Sequence, residues 1–160
     1  MSEESPLPLT RAEEAGKKPL RLVRAAARIA VVAQWPDGRK CLFVRHQTKG
    51  FELPGGAIEP GEEALEAGLR ELGEEAGIQL PMDHTLTLIA MIPVTDHRGG
   101  SWLDIIYGTM LAPLQISEQQ EAELSVSWLT DEEIEGQVNQ QLSSYTAALM
   151  ALRDCINWTT

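Results

Sequence analysis

From Arg24 onward the chain alternates dense apolar runs with short polar breaks, and the breaks delimit the elements. AAARIAVVAQ and KCLFVRHQ lie on either side of Pro36-Asp37-Gly38-Arg39, and two β-rich runs about an Asp-Gly turn predict a hairpin. A short FEL run follows and stops at Pro54-Gly55-Gly56, where missing side chains let the chain bend and bring its backbone close to another group. A helix is expected from Gly61 or Glu62, after Pro60, to Gly77, a residue suited to close a helix in the left-handed conformation. LTLIAMIPV and SWLDIIYGTMLA predict two further strands joined by the polar loop from Thr95 to Gly100. A short strand around Val126–Leu129 comes next, and Asp131 is placed to cap a small helix over Glu132–Glu135. Finally, Val138, Leu142, Tyr145, Leu149, Leu152 and Ile156 recur at alternating steps of four and three, the stripe of an amphipathic helix.

Residues 1–22 mix Pro, Glu, Lys and small residues without periodicity and are expected to form a flexible tail. Residues 23–160 then form one mixed α/β domain, long enough to bury a real core and without internal repeats. No apolar run reaches the length of a membrane span, and the acidic start MSEESPLPL lacks an apolar signal core. The two cysteines, Cys41 and Cys155, form no CxxC motif and read as reduced thiols of a cytoplasmic protein.

Charge changes the picture. The net charge is −11, but residues 1–50 carry 10 basic and 5 acidic groups while residues 51–160 carry 3 and 19, so the two parts stand at +5 and −16. Such a chain is a poor general binder of nucleic-acid backbones, which reward clustered Lys and Arg. If it handles phosphates, it needs cations from solution.

The acid is concentrated in GGAIEPGEEALEAGLRELGEEAGI, Gly55 to Ile78, where seven glutamates accompany one basic residue, Arg70. At about 100° per residue, Glu71, Glu74 and Glu75 share roughly a third of the helix circumference. Leu65, Leu69, Leu72 and Ala76 form a separate apolar stripe. Arg70 stands four residues from both Glu66 and Glu74, and is able to orient the latter. Gly68 and Gly73 weaken the helix by about 1 kcal/mol each relative to Ala, so something must compensate. Three convergent carboxylates repel unless a hard cation joins them, and oxygen ligands suit a magnesium-sized ion.

This stretch resembles the signature of the Nudix hydrolases: Gly, five residues, Glu, seven residues, Arg-Glu-aliphatic, one residue, Glu-Glu, one residue, Gly-aliphatic. The match runs through Gly56, Glu62, Arg70, Glu71, Leu72, Glu74, Glu75, Gly77 and Ile78 without exception. At ordinary residue frequencies, it arises by chance at about one start in a billion. The preceding Glu52-Leu53-Pro54-Gly55 also resembles the family's approach to its helix. The resemblance implies an α/β fold, an α/β/α sandwich with a mixed β-sheet, over about residues 24–157. It implies metal-dependent hydrolysis of a pyrophosphate bond in a nucleoside diphosphate linked to another group, with Mg²⁺ or Mn²⁺. Glu71, Glu74 and Glu75 match the metal-binding acids, the Gly55 carbonyl a backbone ligand, and Glu62 a supporting position. An acid not fully committed to metal, Glu74 or Glu75, can serve as base. Some members use a Glu from a later loop, for which Glu123 is the first candidate and Glu121 the second.

Phosphate contacts are expected from the basic first part. Arg45 resembles the family's substrate-contacting position, with Arg28 and Lys49 behind it. Asp96 and Asp104 are within reach of base or sugar, as is Trp102, although a Trp in a strand reads first as core, while His46, His84 and His97 read as ordinary polar residues. Pro93 lies close to where ADP-ribose pyrophosphatases of the family carry a proline. ADP-ribose or another nucleotide sugar, nucleoside triphosphates and dinucleoside polyphosphates therefore compete as substrate. RNA caps are less favoured, since no basic track is present for a strand. The expected partner is a small nucleotide, with no membrane and no nucleic acid, and a homodimer is open. The alternatives are a Nudix-like domain that binds a nucleotide without cleaving it, and a calcium module. The second is disfavoured because the acids sit on a helix rather than at alternate loop positions.

Overall fold

In the computed structural model the described residues are 23–46, 50–81, 85–95, 98–112, 117–118 and 121–140. The sheet is organised by β1 (Arg24–Trp35), whose residues Ala26 to Ala33 are buried without interruption. A strand covered on both faces reads as a continuous small and apolar run rather than an alternation, as AAARIAVVAQ does. A two-residue loop, Pro36-Asp37, joins it antiparallel to β2 (Gly38–His46), with Trp35 opposite Gly38 at φ +130°. The Lys40 ammonium lies 2.9 Å from the Asp37 carboxylate across this turn.

The hairpin opens beyond Val32 and Cys41, and the next segment fills the gap. β3 (Gly50–Glu52) pairs with Val44–His46 of β2, and β4 (Gly55–Ala57) pairs with Ala26–Arg28 of β1. The other edge of β1 is taken by β7 (Ser101–Leu111), in parallel, and β7 pairs antiparallel with β6 (Thr87–Thr95). The other edge of β2 carries β9 (Ser125–Thr130). One mixed seven-stranded sheet results. A separate two-stranded pair joins β5 (Ile78–Gln79) to β8 (Ser117–Glu118). Pro54-Gly55-Gly56 is therefore not a free bend: it is a corner wedged into the split between β1 and β2.

Helix α1 (Ala64–Ala76) starts two to three residues later than Gly61 or Glu62, the expected start. Gly61 has φ +81°, outside the helical region, and Glu63 caps the helix, its N–H donating to Glu66 Oε2 at 3.1 Å. The end falls where expected, with Gly77 at φ +69° and its N–H bonded to the Gly73 carbonyl at 2.9 Å. Gly68 has its compensation in packing, since a Cβ there would stand 2.7 Å from Ile29 Cδ1 on β1.

Helix α2 (Asp131–Gln140) replaces the small helix expected over Glu132–Glu135 and runs on through Val138. Its cap is Thr130 rather than Asp131. Glu133 N–H donates to Thr130 Oγ1 at 3.3 Å, and Thr130 N–H donates to Glu133 Oε2 at 2.7 Å, a reciprocal box. The rest of the apolar stripe, Leu142 to Ile156, lies outside the described residues, as do the 1–22 tail and Cys155.

Two apolar clusters sandwich the sheet. Leu72 and Ala76 of α1 pack with Ile29, Val31, Leu42 and Val44 on one face. Ile134 of α2 packs with Ala30, Val32, Cys41 and Phe43 on the other. The architecture is thus α/β/α, with the split between β1 and β2 opening beneath the last turns of α1.

Candidate active site

Arg70 gathers the acids of α1. Its Nε donates to Glu62 Oε1 at 2.7 Å, Nη1 to Glu71 Oε1 at 2.9 Å and to Glu74 Oε2 at 3.3 Å, and Nη2 to the Ala57 carbonyl at 3.2 Å. The expected tie to Glu74 is present, and two further carboxylates and a β4 carbonyl join it. Four acceptors hold the guanidinium protonated, and the guanidinium, followed by the Glu59 N–H, pulls the Glu62 carboxyl below its usual range.

The glycines of the corner exist for close approach. A Cβ at Gly56 would stand 2.5 Å from Glu71 Oε1, and one at Gly55 would meet the Arg28 side chain and the Ala27 carbonyl. Gly55 N–H donates to Glu75 Oε1 at 2.8 Å, so the corner docks directly on the helix. Glu75 is only 6% exposed. Its carboxyl is pushed up to about 7, chiefly by burial and then by the neighbouring Glu71 and Glu52 charges, against the Gly55 N–H and Arg28.

Glu123 joins this end of the helix through the backbone. Its N–H donates to the Glu74 carbonyl at 3.0 Å, and Leu124 N–H donates to the Glu75 carbonyl at 3.1 Å. The segment before β9 thus satisfies carbonyls that a helix end leaves open. The Glu123 side chain is exposed, and so is that of Glu121.

Arg28 departs from the expectation of a substrate contact. It is 6% exposed, with Nε donating to Asp104 Oδ2 at 2.9 Å and Nη1 to the Leu53 carbonyl at 2.9 Å. Glu52 Oε2 lies 3.8 Å from its Nη1. Its guanidinium ties β1 to β7 and to the corner, and Asp104, its partner, is likewise buried. Trp102 lies in β7 with the Arg24 guanidinium carbon 5.5 Å from its ring centroid.

Arg45 is exposed, with its guanidinium carbon 5.4 Å from the centroid of the Phe51 ring. Alternation along β2 sets it on the face opposite Val44 and His46, so it is not gathered with the carboxylates. Lys49, Asp96, His84 and His97 lie outside the described residues. Pro93 is exposed on β6, the strand at the edge of the sheet, where proline is tolerated. The residue that sequence reasoning passed over is His46, whose Nε2 lies 3.2 Å from Glu52 Oε2 and 3.3 Å from Glu75 Oε2.

The model of the NUDIX domain matches residues 24–149 of this chain. The chain belongs to the Nudix hydrolase family. Two curated Nudix relatives match over short stretches. The "Putative 8-oxo-dGTP diphosphatase YtkD" of Bacillus subtilis is 49% identical over 43 residues, 27% of this chain and 27% of the relative. The "m7GpppN-mRNA hydrolase NUDT17" of Bos taurus is 68% identical over 58 residues, 33% of this chain and 19% of the relative. The chain therefore spans about a quarter or less of the length of these relatives. Among solved structures, the NUDIX domain of Shewanella oneidensis NrtR complexed with ADP ribose superposes with a TM-score of 0.65 at 20% identity. That alignment covers 92% of this chain and 99% of that one. A C. elegans Ap4A hydrolase gives 0.63 at 18%, covering 86% and 98%. At these identities the structures establish the Nudix fold. Among the described residues no helix is long and apolar enough to cross a membrane.

In this geometry the Nudix acids are paired with protein groups: Arg70 engages Glu71 and Glu74, and Gly55 N–H with His46 engages Glu75. Among the described residues no three His, Cys, Asp or Glu side chains are gathered as a ready ligand shell. The donor chemistry nevertheless fits a hard divalent cation. Glu71, Glu74 and Glu75 are oxygen donors beside the Gly55 backbone, and burial next to Glu71 and Glu52 leaves Glu75 short of positive charge.

A pH effect on stability follows. A carboxyl whose pKa is raised by folding favours the fold while it is protonated. That contribution is whole below the unfolded value of 4.5 and is lost as pH rises through about 7. Without divalent ions, the protein should lose up to about 3 kcal/mol from this group between about pH 5 and pH 8, at about 1.4 kcal/mol per pKa unit. At about 2–4 °C per kcal/mol, Tm falls by several degrees. Glu75→Gln should flatten this part of the Tm profile; superimposable profiles for variant and wild type would show that Glu75 does not titrate in this range.

Proposed function

We propose that this chain hydrolyses a pyrophosphate bond in a nucleoside diphosphate linked to another group, using Mg²⁺ or Mn²⁺. The observation that carries this reading is the junction of Glu75 with the Gly55 N–H, beside Glu71, Glu74 and the docked Glu123 segment. Glu71, Glu74 and Glu75, with the Gly55 carbonyl, are the groups that would hold the cation. A bound divalent ion neutralises charge on phosphoryl oxygens and lowers the pKa of a water. The chain's own residues do the rest: Arg70 orients Glu71 and Glu74, the corner aims Glu75, and the base is drawn from Glu74, Glu75 and Glu123. Arg45 stands away from the carboxylates, so its role in this reading is to hold a part of the nucleotide remote from the cleaved bond.

The relatives' printed names set the substrate panel: 8-oxo-dGTP, a capped dinucleotide, ADP-ribose and Ap4A, with ordinary nucleoside triphosphates beside them. Product release from each, with Mg²⁺, Mn²⁺, Ca²⁺ or EDTA, tests the reading. Turnover is expected with Mg²⁺ or Mn²⁺ and not in EDTA, and turnover in EDTA would overturn it. Binding of a panel member without cleavage under any metal would instead support a nucleotide sensor domain. Metal should also stabilise the fold, by about 2.7 kcal/mol at a hundredfold excess over Kd. A Tm unmoved by millimolar Mg²⁺ and Mn²⁺ would count against the site.

A further inference from the structure

Beneath the last turn of α1, two buried carboxylates face one imidazole. Glu52 is 3% exposed, and among the described residues its Oε1 has no hydrogen-bond partner. Its Oε2 lies 3.2 Å from His46 Nε2, with Arg28 Nη1 at 3.8 Å. Glu75 Oε2 lies 3.3 Å from the same His46 nitrogen, while its Oε1 is taken by Gly55 N–H. Alternation along β2 sets His46 on the same face as Leu42 and Val44, beneath α1. Glu52 pairs with Val44, so His46 is its diagonal neighbour across the β2–β3 ladder.

We propose that His46 is a positioning residue for Glu75, shared with Glu52 as a two-acceptor donor at the metal site. One ring nitrogen stands within ion-pair distance of two carboxylate oxygens, and both separations exceed the roughly 2.7–2.9 Å of an unshared charge-assisted bond. With Gly55 N–H bonded to Oε1 and His46 Nε2 beside Oε2, the Glu75 carboxylate has a neighbour at each oxygen. Were Oε2 of Glu75 to bind a cation, the part-exposed His46 ring would keep Glu52 as its partner. The exchange needs an acceptor with spare capacity, and Glu52 supplies it. Partners of this kind, one step removed from a metal, typically carry a 10- to 100-fold effect on affinity.

This rests on the assignment of Glu75 to the metal site, and Mn²⁺ alone is the probe that separates the two. Free Mn²⁺ is measured by EPR against wild type, His46→Phe, which keeps a ring without the donor, and His46→Gln, which restores an N–H at similar reach. The expected result is about tenfold weaker Mn²⁺ binding and lower kcat at little-changed KM in His46→Phe, with both largely recovered in His46→Gln. Equal Mn²⁺ affinity in wild type and His46→Phe overturns the role of His46 and leaves the metal site standing. Equal losses in both variants, tracking a common fall in Tm, assign His46 to packing and also overturn it. Wild type that binds no Mn²⁺ overturns both. If His46→Phe does not fold, the ¹⁵N shift of His46 Nε2 in wild type decides: it should move on adding Mg²⁺, and a shift that stays put refutes the exchange.

Discussion

Glu75→Gln should lower kcat by at least about a hundredfold, a loss of roughly 2.7 kcal/mol or more in transition-state stabilisation. Glu75 stands where the α1 acids, the Gly55 corner and His46 meet, and it is the most deeply buried of the three helix acids. The amide keeps the size of the side chain and can still accept from Gly55 N–H through its carbonyl oxygen. Its NH₂ stands on the Oε2 side, where His46 can turn to Glu52, and offers a cation nothing. Because the substitution removes a charge that the fold itself disfavours, the variant should be no less stable than wild type above about pH 7 without metal. Activity and stability therefore move in opposite directions, which general damage to the fold would not produce. Steady-state kinetics on the best panel substrate, read beside melting at the same pH, check this. Turnover within a few-fold of wild type would remove Glu75 from the catalytic machinery.

Arg28→Met should cost about 3–5 kcal/mol of stability, the usual consequence of breaking a buried ion pair and leaving one charge without its partner. Asp104 would be left 2% exposed, and the Leu53 carbonyl would lose its donor at the corner that carries Gly55. Urea denaturation measures the loss, and a midpoint shift at constant slope identifies it as stability. Adding Asp104→Leu should recover part of it, because an apolar pair replaces the abandoned charge. Recovery should be incomplete, since the Leu53 carbonyl remains unserved. A substrate contact would behave otherwise, with KM rising at unchanged stability. A loss below about 1 kcal/mol would show that the β1–β7 tie is not structural.

The acidic helix was legible because its information is local. Spacing of Glu71, Glu74 and Glu75, the Leu72 and Ala76 stripe and the closing Gly77 are all repeats of one helical period within a single segment. The β1–β2 hairpin was legible for the same reason, with Asp37-Gly38 beside the two strands it joins. Thr130 as the cap of α2 was also written locally, in Thr130-Asp131-Glu132-Glu133, and the capping-box spacing was the signal that identifies it over Asp131.

The sequence by itself therefore determined the helix, its acids, most strands and the family. Tertiary structure decided which polar residues meet. Arg28 and Asp104 are 76 residues apart, and nothing in either neighbourhood announces the pair. Their meeting depends on β1 and β7 lying parallel in one register. His46 looked ordinary because its two partners stand on β3 and α1, and only the opening of the hairpin admits them. Arg45 and His46 are neighbours in the chain, yet the two-residue period of a strand sends them to opposite faces. Local periodicity is a property of one segment, whereas a buried charge finds its partner through the packing of several. That is why the acids of the helix could be read from the chain and the groups that hold them could not.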